Sequence, residues 1–193
     1  MYESVLEGDG VIVEADQALI ARSAAGDREA YDALLGSRLG GLYHTALGIL
    51  RHDADAQDAV QDACVQAWHH LHSLREPDRF DAWLGRILVN ACRGRLRIRR
   101  RARVREIEMT SADSADAGSG DSGTLAHDVV TTLAIRRAFE RLKPDDRIIL
   151  ALHHADQRPI EEIAALLGIA EGTAKWRLYA ARRALTSALG REA

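Results

Sequence analysis

Two short apolar repeats, divided by a single glycine, constrain this chain more than any other stretch. Ile160, Ile163, Ala164 and Leu167 recur at helical spacing, as do Ala174, Leu178, Ala181 and Leu185, with Gly168, Ile169 and Ala170 between the two sets. Gly168 suits a helix end, because without a Cβ it enters the left-handed conformation at no steric cost. Two helices joined by a glycine-bearing turn form a helix-turn-helix, and the second helix of such a motif can enter a DNA major groove. The outward positions of the second repeat are Lys175, Trp176, Arg177, Tyr179, Arg182 and Arg183, with no acid among them. A plain helical hairpin with a basic, solvated face would show the same pattern.

The rest of the chain must supply a core for this motif. Of 193 residues, 47% are hydrophobic but only 5% aromatic, so Ala, Leu, Ile and Val have to do most of the packing. Three prolines, abundant alanine and few β-runs predict an all-α protein. No stretch approaches the ~18 apolar residues of a membrane span. The first sixteen residues hold Glu3, Glu7, Asp9, Glu14 and Asp16 and no Lys or Arg, unlike the basic start of a secretory signal, so a cytoplasmic protein is expected. Cys64 and Cys92 fall on the apolar faces of predicted helices, which predicts buried thiols rather than a zinc or redox pair.

The formal net charge of -3 conceals a strong segregation. Residues 93–105 carry eight Arg and no acid, and residues 106–128 carry six acids and no Lys or Arg. A basic block this dense points to a polyanionic partner, although such a run can also be a solvated face.

In chain order, Asp16 starts a short helix that Gly26 closes. Asp27 caps a second, with Ala30, Tyr31, Leu34, Leu35, Leu42, Ala46, Ile49 and Leu50 as its stripe and Gly40 and Gly41 marking a bend or a close crossing. Asp53 is expected to cap the next helix, whose apolar face is Ala56, Ala59, Val60, Ala63, Cys64, Ala67, Trp68 and Leu71. Its opposite face presents Asp55, Asp58, Gln61, Asp62 and Gln66. Helix-dipole stabilisation accounts for acids in a first turn, but not for Asp62 nearly three turns in. A metal site, a catalytic pair and a protein-docking surface all remain open for that face. After a loop containing Pro77, a helix from about Asp78 buries Phe80, Trp83, Leu84, Ile87, Leu88, Ala91 and Cys92. Arg79, Arg86, Asn90, Arg93, Arg97 and Arg100 lie elsewhere around it and on its continuation, where Arg suits phosphate and Asn can meet a base.

Residues 106–127 are Ser-, Asp-, Ala- and Gly-rich with hardly any apolar period, which predicts a linker. Some 22 residues reach ~75 Å when fully extended, so the flanking units could sit on separate surfaces. Beyond it, Val129, Leu133, Ile135, Ala138, Phe139 and Leu142 predict one helix, broken at Lys143-Pro144. Ile148, Ile149, Ala151 and Leu152 predict another, packed against the helix-turn-helix.

With these motifs in place, the chain resembles the extracytoplasmic-function (ECF) group of bacterial RNA polymerase sigma factors over nearly all of its length after Asp16. The matching stretches are Asp27 to Ala30, DAVQDACVQAW at 58–68, FDAWLGRILVN at 80–90, LKPDDR at 142–147, EEIAALLGIAEGTAKWRL at 161–178 and AARRAL at 180–185. The resemblance implies an all-α protein of two small helical domains joined by a flexible acidic linker. Its parts would be an extension at 1–15, a region 2 domain at 16–103, a linker at 104–127 and a region 4 domain at 128–190. It implies that Asp55, Asp58, Gln61, Asp62 and Gln66 dock on the clamp helices of the polymerase β′ subunit. Arg79, Arg86, Asn90, Arg93, Arg97 and Arg100, with the loop from about His72, would handle the -10 element, where a base is drawn out of the stack. Thr173, Lys175, Trp176, Arg177, Tyr179, Arg182 and Arg183 would read the -35 element.

The partners implied are RNA polymerase core (β′ clamp helices and β flap), promoter DNA and an anti-sigma factor, with no cofactor, no metal, no catalysis and no direct membrane insertion. The sequence departs from the family pattern at Gly94, where Asp is usual, at Trp176, where Ser is usual, and at Ala180, where Arg is usual. Pro159 stands near where Ser or Thr often starts the first helix of the motif. Two other readings compete. A helix-turn-helix regulator that is not a polymerase subunit would have no need of the Asp58-Gln61-Asp62 face. A metal hydrolase would draw on His69, His70 and His72 with Asp58 and Asp62, or on His153 and His154, but adjacent histidines on a helix point about 100° apart.

Overall fold

The computed structural model describes residues 16–110 and 126–190, with the side chains of 16–102 and 133–190. Every regular element among the described residues is helical: α1 (16–24), α2 (Arg28–Gly36), α3 (Leu39–Leu50), α4 (Asp53–His70), α5 (Phe80–Thr110), α6 (Ala126–Arg141), α7 (Pro144–Leu150), α8 (Ile160–Leu167) and α9 (Glu171–Leu189). Two 3₁₀ turns, Leu71–Ser73 and Pro77–Arg79, connect α4 to α5, and a π turn, Ala151–Ala155, prolongs α7. The expected extension at 1–15 and the middle of the expected linker, 111–125, lie outside the described residues. Thr110 ends α5 and Ala126 begins α6, so residues 104–110 and 126–127 of the expected linker are helical.

The stretch expected as one long second helix is two, because the chain breaks at Ser37 and Arg38 rather than at Gly40 and Gly41. Arg38 explains the location. Its guanidinium donates to Asp16 on α1 and Asp81 on α5, each at 2.5 Å, and to the Leu34 carbonyl at 2.8 Å. It also lies 5.2 Å from the centre of the Phe80 ring. A bidentate cation stacked on an aromatic face ties three helices together at the corner. Beneath it Ile20, Tyr31, Leu34, Leu35, Ala67, Leu71, Phe80 and Leu84 form an apolar cluster.

Capping differs from expectation at α4. His52, not Asp53, is the N-cap, and its Nδ1 accepts from the Asp55 amide at 3.3 Å. Asp53, one residue inside, instead accepts from the Tyr43 hydroxyl and from Gln57. The predicted apolar face of α4 is buried or half-buried throughout, as 3/4 spacing requires. Asp27 caps α2 as expected, accepting from the Ala30 amide.

In the C-terminal half, Ala138, Phe139 and Leu142 turn inward, whereas Leu133 and Ile135, expected on the same stripe, are exposed. Val129 belongs to the part of α6 whose side chains are not described. Arg147 is buried, and its guanidinium donates to the carbonyls of Phe139 and Glu140. Those carbonyls belong to the last turn of α6, where a cation suits both their geometry and the helix dipole, and the Phe139 carbonyl also accepts from the Leu142 amide at 3.2 Å. At the end of α8, Gly168 takes the left-handed conformation (φ 65°), with the Ile169 amide on the Ala164 carbonyl at 3.0 Å.

The two halves are not separate bodies. One apolar cluster joins Leu88, Val89, Cys92 and Leu96 of α5 to Leu150, Ala151, Leu152, Ile163 and Leu166 of the C-terminal half. Cys92 lies within it, its thiol pushed up to about 12 by burial, and Cys64 is half-buried. No helix among the described residues is long and apolar enough to cross a membrane.

The Gly168 cap gives a direct test. Alanine at φ 65° places a Cβ against the following carbonyl, and Gly168→Ala is expected to lose roughly 1–2 kcal/mol of stability in urea unfolding with an unchanged m-value.

Candidate functional site

Three surfaces carry the charged and aromatic residues singled out in the sequence. The first is the outer face of α4. Asp58 and Asp62 are about half exposed, and both accept from Arg95 of α5, at 2.7 and 2.8 Å. Asp55, less exposed, accepts from Arg99 at 3.1 Å, and Arg99 also reaches the Leu50 carbonyl at 3.3 Å. Gln61 and Gln66 are exposed without such partners. The sequence reading grouped these two arginines with the basic block, but they are turned onto the acids. A helical spacing could have found them: Arg95 and Arg99 each follow a buried residue, Cys92 and Leu96, by three positions. Val65 lies outside the apolar stripe expected for α4. It is 51% exposed, three residues after Asp62 and seven after Asp58, which puts an apolar side chain in the middle of an otherwise polar face.

The second surface is the opposite side of α5. Arg93 donates to the Asn90 side-chain oxygen and to Asp145 on α7, both at 2.8 Å. Arg86 donates to the carbonyl of Ala165 on α8 at 2.8 Å. Arg79 stands apart on the 3₁₀ turn, paired with Glu76 at 2.7 Å. Arg93, Arg97 and Arg100 converge on a groove of about 1100 Å³, which Lys143, Trp176 and Arg177 close from the C-terminal half. Among the described residues, Arg97, Arg100, Lys143 and Arg177 have no ion-pair partner. Asp145 and Asp146 are the acids lining the groove, and burial raises the Asp146 carboxyl above its ordinary value.

The third surface is the outer side of α9. Ala174, Leu178 and Ala181 are buried, which turns Thr173, Lys175, Tyr179, Arg182 and Arg183 to solvent and leaves Arg177 half-buried at the groove. Trp176 is 67% exposed and Tyr179 60%. The Arg183 guanidinium lies 5.9 Å from the Tyr179 ring centre, Lys175 is 3.8 Å from Glu171, and Arg182 donates to His154 Nε2 at 3.3 Å. Burial holds His154 below its ordinary pKa, helped by His153 and Arg182, which favours the neutral ring that can accept this bond. Large aromatics exposed beside cations suit nucleic-acid bases and phosphates, since rings stack on bases while guanidinium groups meet backbone oxygens. The expected -35 set is thus divided, with Trp176 and Arg177 at the groove and the others on the free side.

Comparison with known proteins follows the same division. Residues 34–102 match the family Sigma-70 region 2, and residues 132–185 match Sigma-70, region 4. The ECF RNA polymerase sigma factor SigM of Mycobacterium tuberculosis (strain ATCC 25618 / H37Rv) is 35% identical over 175 residues, covering 91% of this chain and 85% of its own. Among solved structures, CnrH in complex with the cytosolic domain of CnrY is similar with a TM-score of 0.58 and 27% identity, over 93% of this chain and 99% of that one. The sigma factor RpoE in complex with the anti-sigma factor NepR from Bartonella quintana gives a TM-score of 0.53 and 27% identity, over 83% of this chain and 96% of that one.

The α4–α5 pairing can be measured by a double-mutant cycle on Asp62→Ala and Arg95→Ala. For a half-exposed pair the expected coupling is about 0.2–1 kcal/mol in urea unfolding, shrinking as salt is added.

Proposed function

Because this chain belongs to the family of ECF RNA polymerase sigma factors, we propose a division of labour between its two halves. It binds RNA polymerase core and directs initiation at promoters carrying matched -35 and -10 elements. The chemistry is the polymerase's, and this chain contributes binding and positioning in the cytoplasm. One observation supports the reading above the others: a carboxylate face on α4 and a basic, aromatic-bearing surface on α5 and α9 occur on one chain, in the order region 2 then region 4.

In this proposal the region 2 domain, residues 16–103, meets core through Asp55, Asp58, Gln61, Asp62 and Gln66, facing the β′ clamp helices, with Val65 as an apolar anchor at their centre. Arg79, Arg86, Asn90, Arg93, Arg97 and Arg100 take the -10 element. Extracting a base there costs a few kcal/mol of stacking, which contacts from arginine and the loop around His72 offset. The region 4 domain, residues 128–190, lays α9 in the major groove of the -35 element and meets the β flap. Of its residues, Lys175, Tyr179, Arg182 and Arg183 are presented freely, while Trp176 and Arg177 must first leave the groove. Trp176 and Ala180 change the DNA-facing surface relative to the family pattern, so the promoter sequence read is this chain's own. The solved complex of the sigma factor RpoE with the anti-sigma factor NepR supports an anti-sigma partner for this chain as well.

The reading is tested by run-off transcription with purified bacterial core polymerase and a selected promoter library. Promoter-specific transcripts that depend on this chain are expected. Promoter binding by the chain alone, without initiation on core, would instead favour an independent helix-turn-helix regulator. Asp62→Arg is expected to weaken core binding at least tenfold while leaving helicity unchanged, as checked by fluorescence titration and circular dichroism. Arg182→Ala is expected to cost roughly 1–3 kcal/mol in -35 binding if the side chain meets a base edge, or about one unit of salt slope if it meets phosphate. If neither loss is observed, Arg182 does not belong to the DNA surface.

A further inference from the structure

We infer that the groove between α5, the start of α7 and α9 is a binding site for a guanine nucleotide that carries a chain of phosphates, with Trp176, Asp146 and the groove cations as its contacts. The inference goes beyond the functional reading above and uses neither polymerase nor promoter, so either can fail without the other.

The first argument is the charge inside the groove. Arg93, Arg97 and Arg100 are spaced by four and three, so they form a row along two turns of α5, about 10 Å long at about 1.5 Å per residue. Lys143 and Arg177 close on that row from the C-terminal half. Arg93 is held by Asp145 and Asn90, but Arg97, Arg100, Lys143 and Arg177 have no ion-pair partner among the described residues. Cations that face one another across a concave space repel, and a ligand with several linked negative charges relieves that repulsion at every wall at once. Volume chooses the size of that ligand. The groove of about 1100 Å³ is a space about 10 Å across, just above the roughly 300–1,000 Å³ of small-molecule sites. Duplex DNA, whose major groove alone is about 12 Å wide, does not fit inside it.

The second argument is that the groove carries more than charge. Trp176, Ala180 and Ala184 follow at intervals of four and therefore form one apolar row along α9. The indole is mostly exposed in spite of its size, and the two alanines beside it leave room for a planar ring. Stacking on an indole favours the larger face of a purine. Asp146 supplies the choice between purines. Its carboxyl lines the groove next to the Arg93-bound Asp145, with no hydrogen bond or ion pair of its own among the described residues. Burial raises it above its ordinary pKa, as befits an acceptor stripped of water with no donor in its place. A carboxylate only accepts hydrogen bonds. The Watson–Crick edge of guanine offers two adjacent N–H donors, whereas that of adenine alternates a donor with an acceptor. Guanine therefore satisfies both oxygens, and adenine turns a lone pair on one of them.

Each wall then meets one part of the ligand: α9 the face of the base, Asp146 its edge, and α5 with Lys143 and Arg177 the phosphates. Recognition needs all three together, because an indole alone takes any base and arginines alone take any polyanion. Trp176 and Ala180 are also positions at which this chain departs from the family pattern, so the site belongs to this chain rather than to the fold.

The test is isothermal titration calorimetry on the full chain, backed by equilibrium dialysis, with GTP, ATP, GMP and inorganic tripolyphosphate as probes. GTP is expected to bind at least tenfold tighter than GMP or tripolyphosphate, and at least fivefold tighter than ATP. Trp176→Ala is expected to weaken GTP binding at least tenfold while changing tripolyphosphate affinity less than twofold. Asp146→Asn is expected to bring GTP and ATP within twofold of each other, since an amide both donates and accepts and so meets either edge. Both side chains lie outside the apolar core, and circular dichroism checks that the variants keep their helicity. Tripolyphosphate binding as tightly as GTP would reduce the groove to a polyanion sink and overturn the inference. Equal affinity of the unmodified chain for GTP and ATP would do the same, as would no binding of any probe. A GTP affinity that survives Trp176→Ala, or a preference for GTP that survives Asp146→Asn, also overturns it. A short single-stranded DNA that binds through Trp176 and that GTP does not displace would assign the groove to nucleic acid instead.

Discussion

The structure depends on α5 having three different neighbours around one axis. At 31 residues the helix is about 46 Å long, more than a core of this size needs. Phe80, Leu84, Leu88, Cys92 and Leu96, spaced by four, run a drifting apolar stripe along it. Arg95 and Arg99 lie to one side of that stripe and meet the acids of α4. Arg93, Arg97 and Arg100 lie to the other and line the groove. A basic block that reads as uniform in sequence is therefore split by helical phase into structural and solvent-facing sets. The contacts that α5 makes with the C-terminal half, from Arg86 to Arg93, inherit their positions from the same phase.

Much of this was legible beforehand, for reasons that can be named. The faces of α4 and of the first part of α5 follow from 3/4 spacing, which is local and survives whatever packs against it. The same holds for the turn at Gly168, where only one residue type is comfortable. What could not be read depends on partners distant in sequence. Arg38 breaks the α2–α3 stretch because Asp16 and Asp81 come to meet it, and nothing near Arg38 announces either. Leu133 and Ile135 belong to a plausible apolar stripe but face solvent, since the direction of α6 is set by Arg147 gripping its last carbonyls. The docking of one half onto the other lay furthest from view. An acidic, low-complexity stretch between two compact motifs reads as a tether, and only the shared cluster of Leu88, Val89 and Leu166 reveals the contact.

The residues that depart from the family pattern gain a context from this packing. Trp176 and Ala180 both line the groove, across from Arg97 and Arg100. At that position a large, mostly exposed indole stands beside guanidinium groups, a combination suited to stacking and to cation–π contact. Alanine in place of arginine at 180 removes one charge from a wall already crowded with cations. The difference at 180 therefore lowers the repulsion across the groove, whatever both also do to the choice of DNA sequence.

The outer face of α4 has a different consequence, because its carboxylates are already spoken for. A cationic partner arriving there does not add an ion pair to a bare acid; it must displace Arg95 from Asp58 and Asp62. Association is then an exchange reaction, in which the charge term of the products largely cancels that of the reactants. Charge so arranged discriminates among partners, since one that cannot replace the guanidinium leaves acids unmatched, but it contributes little net affinity. The free energy of such a contact has to come from elsewhere on the face, and the exposed methyl groups of Val65 stand where that apolar area is available.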